Sequence, residues 1–418
     1  MVKYKAPRGT RDILPGEVER WQQLETRFRE YCILYGFSEI RTPIFEHTEL
    51  FLRSVGEDTD IVSKEMYSFQ DRSNRQLTLR PEGTAATVRA YLENNLSGQP
   101  QPAKLYYQGP MFRYDRPQAG RYRQFHQFGL ELFGAAEAAA DAEIIALSHD
   151  FIHSLNIKEA NLELNSVGCP QCRPAYRDSL LAYLKPLEDE VCPDCRRRFA
   201  VNPLRVLDCK DEKCRSLAAG APALEQFLCR SCSEHFNRLR RLLDRLAIPF
   251  TVNPRLVRGL DYYTRTALEF VCPDLGSIAG GGRYDYLVEE CGGPPTPAVG
   301  VAFGVERLLL AAEEAALQQE TVPPVFIATA GENLEEEALA LAAQLRGRGI
   351  AAETELMGRT LKGQMKLCGR KGYDLVLILG QKELSQNLVA LRDMRTGEQI
   401  DLPREQLLDR VEQMRKAP

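Results

Sequence analysis

Four arginines, Arg113, Arg116, Arg121 and Arg123, crowd a turn in GPMFRYDRPQAGRYRQFHQFGLE, residues 109–131, that also contains Pro117 and Gly120. The strand-like run that follows carries Gln127 and Glu131. Arginines on a loop between two strands can grip a triphosphate through forked, charge-assisted hydrogen bonds, each worth about 1.5–3 kcal/mol. Taken alone, such a cluster is more often a solvated surface, and Glu131 is more often an exposed or ion-paired carboxylate.

Cysteines supply the second candidate chemistry. Eight of the twelve lie between positions 169 and 232, as the pairs Cys169/Cys172, Cys192/Cys195, Cys209/Cys214 and Cys229/Cys232. The first two pairs form CxxC-x19-CxxC, a spacing that suits a tetrahedral Zn²⁺ held by four thiolates. Cys169, Cys172, Cys192 and Cys195 are therefore the expected ligands of a closed, structural site, and reduced or redox-active thiols are the alternative. His149 and His153 are four apart on a helix pattern, but no third ligand lies near them in sequence, so a half-buried helix face is the expectation there.

At the level of motifs, GPMFRYDRPQAGRYRQFHQ resembles motif 2 of the class II aminoacyl-tRNA synthetases, in the form seen in the histidine branch. SEIRTPIFE around Pro43 is similar to motif 1, and GVAFGVERLLL (300–310) to motif 3. LVRGLDYY (256–263) and AGGGRYD (279–285) look like segments peculiar to the histidine branch, and TLRPEGT (78–84) and the opening APRGTRDILP match the family too. The resemblance runs in order along essentially the whole chain. It implies ATP-dependent ligation of L-histidine to tRNA(His) through an adenylate, with ATP as substrate, Mg²⁺ on its phosphates, and a homodimer formed through motif 1. Two departures touch the pocket's details: Tyr286 stands where the family often has a small residue, and the connection between Phe270 and Gly280 is short.

Carried over position by position, the resemblance implies a histidine pocket in which Glu82, Thr84 and Gln127 hold the α-amino group. Glu131 and Tyr263 would face the imidazole, with Tyr262 and Tyr284 beside it. Arg113 would contact the α-phosphate, and Arg258 the α-phosphate and the histidine carboxylate, making these two the catalytic pair. Arg121 and Arg307 would hold the outer phosphates. An imidazole has two ring nitrogens that must both find partners when buried. A site built to satisfy them rejects analogues lacking those groups by roughly 10⁴-fold or more, so no editing site is needed. No segment resembles an editing domain.

Several elements must position these residues. Trp21, Leu24, Phe28 and Tyr31 recur at helical spacing before Gly36. Glu39 to Phe45 is extended, and Pro43 makes it an edge strand or a strand end. Gln76–Leu79, Lys104–Gln108 and Gln127–Phe133 read as strands of an antiparallel sheet. Asp141 is the expected cap of a helix reaching Leu155. Strand character returns from Phe250 to Val271, and a Gly-rich stretch, 276–282, leads to another helix. After Pro323-Pro324, strands near Val325, Ala351 and Leu375 alternate with helices, one starting near Thr360, which makes a small α/β domain.

The fold expected is an α+β catalytic domain, an antiparallel sheet flanked by helices, in two parts (1–168 and 249–320). A mainly helical, Cys-rich insert (169–248) interrupts it, and an α/β anticodon-binding domain (323–418) follows. The net charge of −4 over 418 residues carries no whole-chain signature of nucleic-acid binding. Residues 169–245 nevertheless hold fifteen Lys/Arg against eleven Asp/Glu, a locally basic surface able to meet a phosphate backbone. The insert is thus expected at the acceptor arm of the tRNA and the last domain at the anticodon, whose single-stranded bases are open to side chains. With no apolar run of bilayer length and no signal-peptide core, the expected compartment is the cytoplasm, with no membrane partner. The rival reading is a non-catalytic, synthetase-like regulatory subunit of ATP phosphoribosyltransferase, which would lack the anticodon-binding domain.

Overall fold

The computed structural model describes residues 4–416 apart from 57, 58, 60, 119, 208, 210, 259, 261 and 318–321. Gly259 and Asp261 of LVRGLDYY, and the end of the expected catalytic domain at 320, thus lie outside the described residues. The chain separates into two compact units, Met1–Gln319 and Glu320–Pro418.

The first unit opens with α1 (Val18–Leu34), β1 (Ser38–Glu39), β2 (Phe45–His47), α2 (Thr48–Val55), β3 (Tyr67–Gln70), β4 (Gln76–Leu79) and α3 (Thr84–Glu93). The long strands β5 (Ala103–Phe112) and β6 (Gln124–Phe133) precede α4 (Ala138–Ser154) and β7 (Asn161–Gly168). Four helices fill the Cys-rich region: α5 (Arg173–Leu184), α6 (Pro193–Val201), α7 (Glu212–Ala218) and α8 (Arg230–Arg245). Then come β8 (Thr251–Val252), β9 (Thr264–Cys272), β10 (Gly276–Arg283), α9 (Leu287–Glu290), β11 (Ala298–Gly304) and α10 (Val305–Ala311).

The main sheet runs β1-β5-β6-β11-β10-β9-β7-β8. It is antiparallel throughout its middle and parallel only at its two edges, β1 on β5 and β8 on β7. The stretch expected as one strand is divided: Pro43 lies in the irregular link between the edge strand β1 and β2, where its missing N–H interrupts no ladder. The Gly-rich stretch is a central strand, β10, and a tight connection joins it to β9, so the short link after Phe270 is a hairpin.

Alternation along the strands separates the core from the site. Phe128, Leu130 and Leu132 of β6, with Val299, Val301 and Phe303 of β11, face the main core. There they meet Trp21, Leu24, Phe28 and Cys32 of α1 and the apolar face of α4; Phe28 stacks on Phe128 with ring centroids 4.5 Å apart. The opposite face carries Gln127, Gly129 and Glu131, paired with Gly304, Ala302 and Gly300. Small residues there leave space above the sheet.

Helix α4 starts three residues before the expected cap. Asp141 is buried in its first turn and makes an ion pair with Arg283 of β10, both side chains being fully inaccessible. His235 of α8 lies 3.3 Å from the same carboxylate. Burial alone would raise this carboxyl, but the Arg283 guanidinium and the His235 ring hold it well below the usual carboxylate range. Its contribution to stability is therefore present above the ordinary carboxylate value and lost as pH falls beneath it. Asp141→Asn is expected to cost about 3 kcal/mol, because the buried Arg283 loses one of its two carboxylate partners and keeps only Asp285, with a lowered Tm in calorimetry and a flattened acid limb.

The Cys-rich region has its own small core, built from Tyr176, Leu180, Leu184, Phe199 and Val206. Helix α8 does not belong to it: Phe236, Leu239 and Leu243 pack into the main core. The expected insert boundary at 248 thus falls too late, since α8 is a core helix of the sheet.

In the second unit, β12 (Val325–Ala330), α11 (Glu335–Gly347), β13 (Ala352–Thr354), α12 (Leu361–Lys371) and β14 (Leu375–Gly380) form the expected strand–helix alternation. They are followed by α13 (Gln381–Ser385), the hairpin β15 (Leu388–Asp393) and β16 (Gln399–Pro403), and α14 (Arg404–Lys416). The order β13-β12-β14-β15-β16 is parallel in its first three strands and antiparallel in the rest. Thr360 caps α12 through its hydroxyl, and Gly372, at φ 69°, ends it in the left-handed region. Among the described residues no helix is long and apolar enough to cross a membrane.

Candidate active site

A cavity of about 670 Å³ opens over the small-residue face of the main sheet. Glu131 lies beneath its floor, 1 % exposed. Thr84, at the start of α3, donates its hydroxyl to Glu131 Oε1 at 2.7 Å, and the Tyr284 phenol donates to Oε2. Gly300 sits directly across from Glu131 in the β6–β11 register. A Cβ there would stand 1.9 Å from Glu131 Oε2, so only glycine leaves room for this carboxylate. Burial pushes the Glu131 carboxyl up to about 8, against the two hydroxyl donors, with the nearby Glu82 adding to the rise.

Glu82 precedes α3 and accepts from the backbone N–H groups of Thr84 and Ala85, at 2.6 and 2.8 Å. It ties down the first turn of the helix while lining the cavity. Burial raises its carboxyl as well. Tyr262 and Tyr263 close the side, ring centroids 4.7 Å apart, and Tyr262 meets Tyr284 edge-on at 5.5 Å. Gln127 lines the same space, and its side-chain oxygen is buried without a protein partner.

Cations occupy the remainder. Arg113 donates from Nε to the Pro81 carbonyl at 2.8 Å, which fixes the rest of its fork toward the cavity. Arg258 pairs with Glu269 of β9 at 2.7 Å and lies flat over Gly280, where a Cβ would come within 2.3 Å of the guanidinium. Arg307, at the start of α10, donates to the Ser277 carbonyl. Burial, and then the neighbouring Arg121, push Arg307 below its ordinary value: two guanidiniums crowd one another in a half-enclosed space. Such a pair favours a multiply charged anion between them.

A family model described as "Histidyl-tRNA synthetase" matches residues 9–171 and 201–308, and one described as "Anticodon binding domain" matches 324–414. A protein of Desulforamulus reducens named "Histidine--tRNA ligase" is 54% identical over 407 residues, covering 96% of this chain and 97% of its own length. The chain belongs to the histidyl-tRNA synthetase family. A Pelotomaculum thermopropionicum protein of the same name is 56% identical over 398 residues, 94% of each chain. The crystal structure of apo S. aureus histidyl-tRNA synthetase superposes with a TM-score of 0.81 at 39% identity, covering 97% of this chain and 99% of that one.

Within this family frame, Glu82, Thr84, Gln127, Tyr262, Tyr263 and Tyr284 all line the one cavity, as do Arg113, Arg121, Arg258 and Arg307. Of the four clustered arginines, only Arg113 and Arg121 reach it. Arg116 is exposed, and Arg123 lies over the Tyr114 ring at 3.8 Å. Tyr286 is 41% exposed and outside the lining, so that departure from the family does not touch the cavity.

Tyr107 was not singled out by its sequence setting. Its ring fills the space that a Cβ at Gly83 or Gly129 would need, at 2.2 and 2.0 Å. Burial and the charge of Glu131 push its phenol well above 10. The signal was the glycine two residues before Glu131 on the same face of β6.

The cysteines assemble differently from the expected quartet. Cys169 and Cys172 meet Cys229 and Cys232, whereas Cys192 and Cys195 meet Cys209 and Cys214. The chain leaves β7 at Cys169 and returns to the same point at the start of α8, so the first and last pairs close the neck of the insert. The quartet Cys169, Cys172, Cys192 and Cys195 is not formed. Among the described residues, both groups able to hold a metal are made of cysteines; His149 and His153 only stack, 6.0 Å apart.

Proposed function

We propose that this protein activates L-histidine with ATP and transfers it to tRNA(His). The observation that carries the reading is the division of one cavity. A buried carboxylate ringed by hydroxyls lies beneath its floor, and the guanidiniums of Arg113, Arg121, Arg258 and Arg307 are among the groups that line the rest. Glu131 would accept from one imidazole N–H while Tyr263 serves the other nitrogen. The ammonium would sit among Glu82, Thr84 and Gln127, the last already offering an unpartnered oxygen.

The histidine carboxylate is nucleophilic at neutral pH and needs no general base. Arg258 and Arg113 would align it with the α-phosphorus and hold the charge on the phosphoryl oxygens during in-line attack. Arg121 and Arg307 would hold the departing pyrophosphate. Asp115 and Glu65 line the same cavity and offer the oxygen ligands Mg²⁺ prefers; the ion, arriving with ATP, would neutralise the outer phosphates. The ribose hydroxyl at the tRNA terminus then attacks the adenylate carbonyl and releases AMP.

The second unit supports an anticodon reader over the regulatory-subunit alternative, as does the complete arginine set. Charging of tRNA(His) transcripts with labelled histidine tests the reading. Charging confined to histidine and to transcripts with the histidine anticodon is expected, and its absence from folded protein with ATP and Mg²⁺ would sink it.

The segment around Pro43 supports a homodimer. Ile44, Phe45 and Phe69 are 45%, 51% and 43% exposed on and beside the small β2-β4-β3 sheet, an apolar patch that water does not favour. Phe45→Glu is expected to weaken self-association at least about 10-fold, read by sedimentation velocity across a dilution series.

A further inference from the structure

We infer that the insert binds two Zn²⁺ ions, one at its neck through Cys169, Cys172, Cys229 and Cys232, and one at the cavity rim through Cys192, Cys195, Cys209 and Cys214. In each group the four sulfurs lie within 4.8 Å of one another. A tetrahedron of sulfurs about 2.3 Å from a central zinc has edges of about 3.8 Å. The Sγ separations are 3.7 Å for Cys169–Cys172, 3.9 Å for Cys169–Cys229 and 3.9 Å for Cys192–Cys209.

Competing chemistries fit less well. A disulfide joins two sulfurs at about 2.05 Å and gives no reason for four to converge twice; all eight thiols are unbonded. Sulfurs this close enclose one ion and leave no volume for an iron–sulfur cluster.

Backbone geometry adds an independent observation. The N–H of Cys229 points at Cys172 Sγ and that of Cys192 at Cys214 Sγ, each at 3.1 Å, and Cys195 N–H points at Cys192 Sγ at 3.5 Å. N–H donors aimed at sulfur favour the thiolate that a metal requires. Gly168, at φ 64°, turns the chain into the neck, where a Cβ would meet Cys172 Cβ at 2.7 Å.

The two ions would do different structural work. The neck ion would fasten the departing end of β7 to the start of α8, closing the insert at its base. The rim ion would hold Cys192 and Cys209, which themselves line the cavity together with Arg198 and Arg205. It would fix that edge of the cavity. With four thiolates each, neither site has an open position for catalysis.

The test is metal analysis of full-length protein, purified from zinc-supplemented cells without chelator, by inductively coupled plasma mass spectrometry. Two zinc per chain are expected, falling to one in Cys232→Ser and one in Cys214→Ser. Should a variant fail to fold, titration of the wild type with a mercurial, followed by a zinc dye, gives the same count. Release of two zinc, each with four thiols, is the expected result. Zero or one zinc per chain, iron in either site, or disulfide-linked peptides from the insert would overturn the inference.

Discussion

Arg258→Ala is expected to lower histidine-dependent exchange of pyrophosphate into ATP by about 10²- to 10³-fold, the scale set by removing a charge-stabilising donor from a preorganised site. Arg258 is held on three sides: Glu269 pairs with it at 2.7 Å, Gly280 lets it lie against β10, and Tyr263 lies nearby. A guanidinium fixed this way is paid no further ordering cost when charge develops on phosphorus. The loss should fall on kcat, with the KM for ATP changed little, since Arg121 and Arg307 remain on the outer phosphates. Arg258→Lys restores a point charge but not the fork, so partial recovery is expected. Circular dichroism separates this result from misfolding, because Glu269 is left without its partner.

Glu131→Gln is expected to raise the KM for histidine about 10- to 100-fold, the value of one hydrogen bond to a charged group, with kcat less affected. The pH dependence supplies a second signature. In the empty site the Glu131 carboxyl is raised to about 8 by burial, so near neutrality it carries a proton. With Thr84 and Tyr284 already donating to it, an imidazole N–H becomes a third donor and favours the carboxylate. Binding then releases a proton, and histidine affinity rises with pH until about 8, then levels. Below about 6.5 the free imidazole titrates as well, so the informative window lies between these values. In Glu131→Gln the rise should vanish; its persistence would remove Glu131 from the ring contact.

Much of this site was legible because local motifs carry it. The arginine turn, the Gly-rich stretch and the Glu82–Thr84 segment each declare themselves over a few residues, though that the stretch is a strand did not show, and period-two alternation sets Gln127 and Glu131 on one face. Long-range meetings were not legible. Each CxxC pair announces a ligand pair but not its partner, and the neck is closed only because the chain returns to the end of β7 after α5, α6 and α7. Helix α8 reads as part of a basic insert from its charges, while its apolar face, Phe236, Leu239 and Leu243, belongs to the main core. Asp141 looked like a cap because it opens a helical pattern; its partner, Arg283, is far away in sequence. The β15–β16 hairpin was missed because its turn, 394–398, is five residues long and opens on the apolar Met394, with only Gly397, at φ 82°, to mark it.

The central claim is that the floor and the arginines of one cavity together make histidyl-adenylate. Pyrophosphate exchange into ATP, measured with purified protein and each of the twenty amino acids in turn, tests it most directly. Exchange with histidine alone, lost in Arg258→Ala, is the predicted result; no exchange with histidine from folded protein supplied with Mg²⁺, or equal exchange with other amino acids, would contradict it.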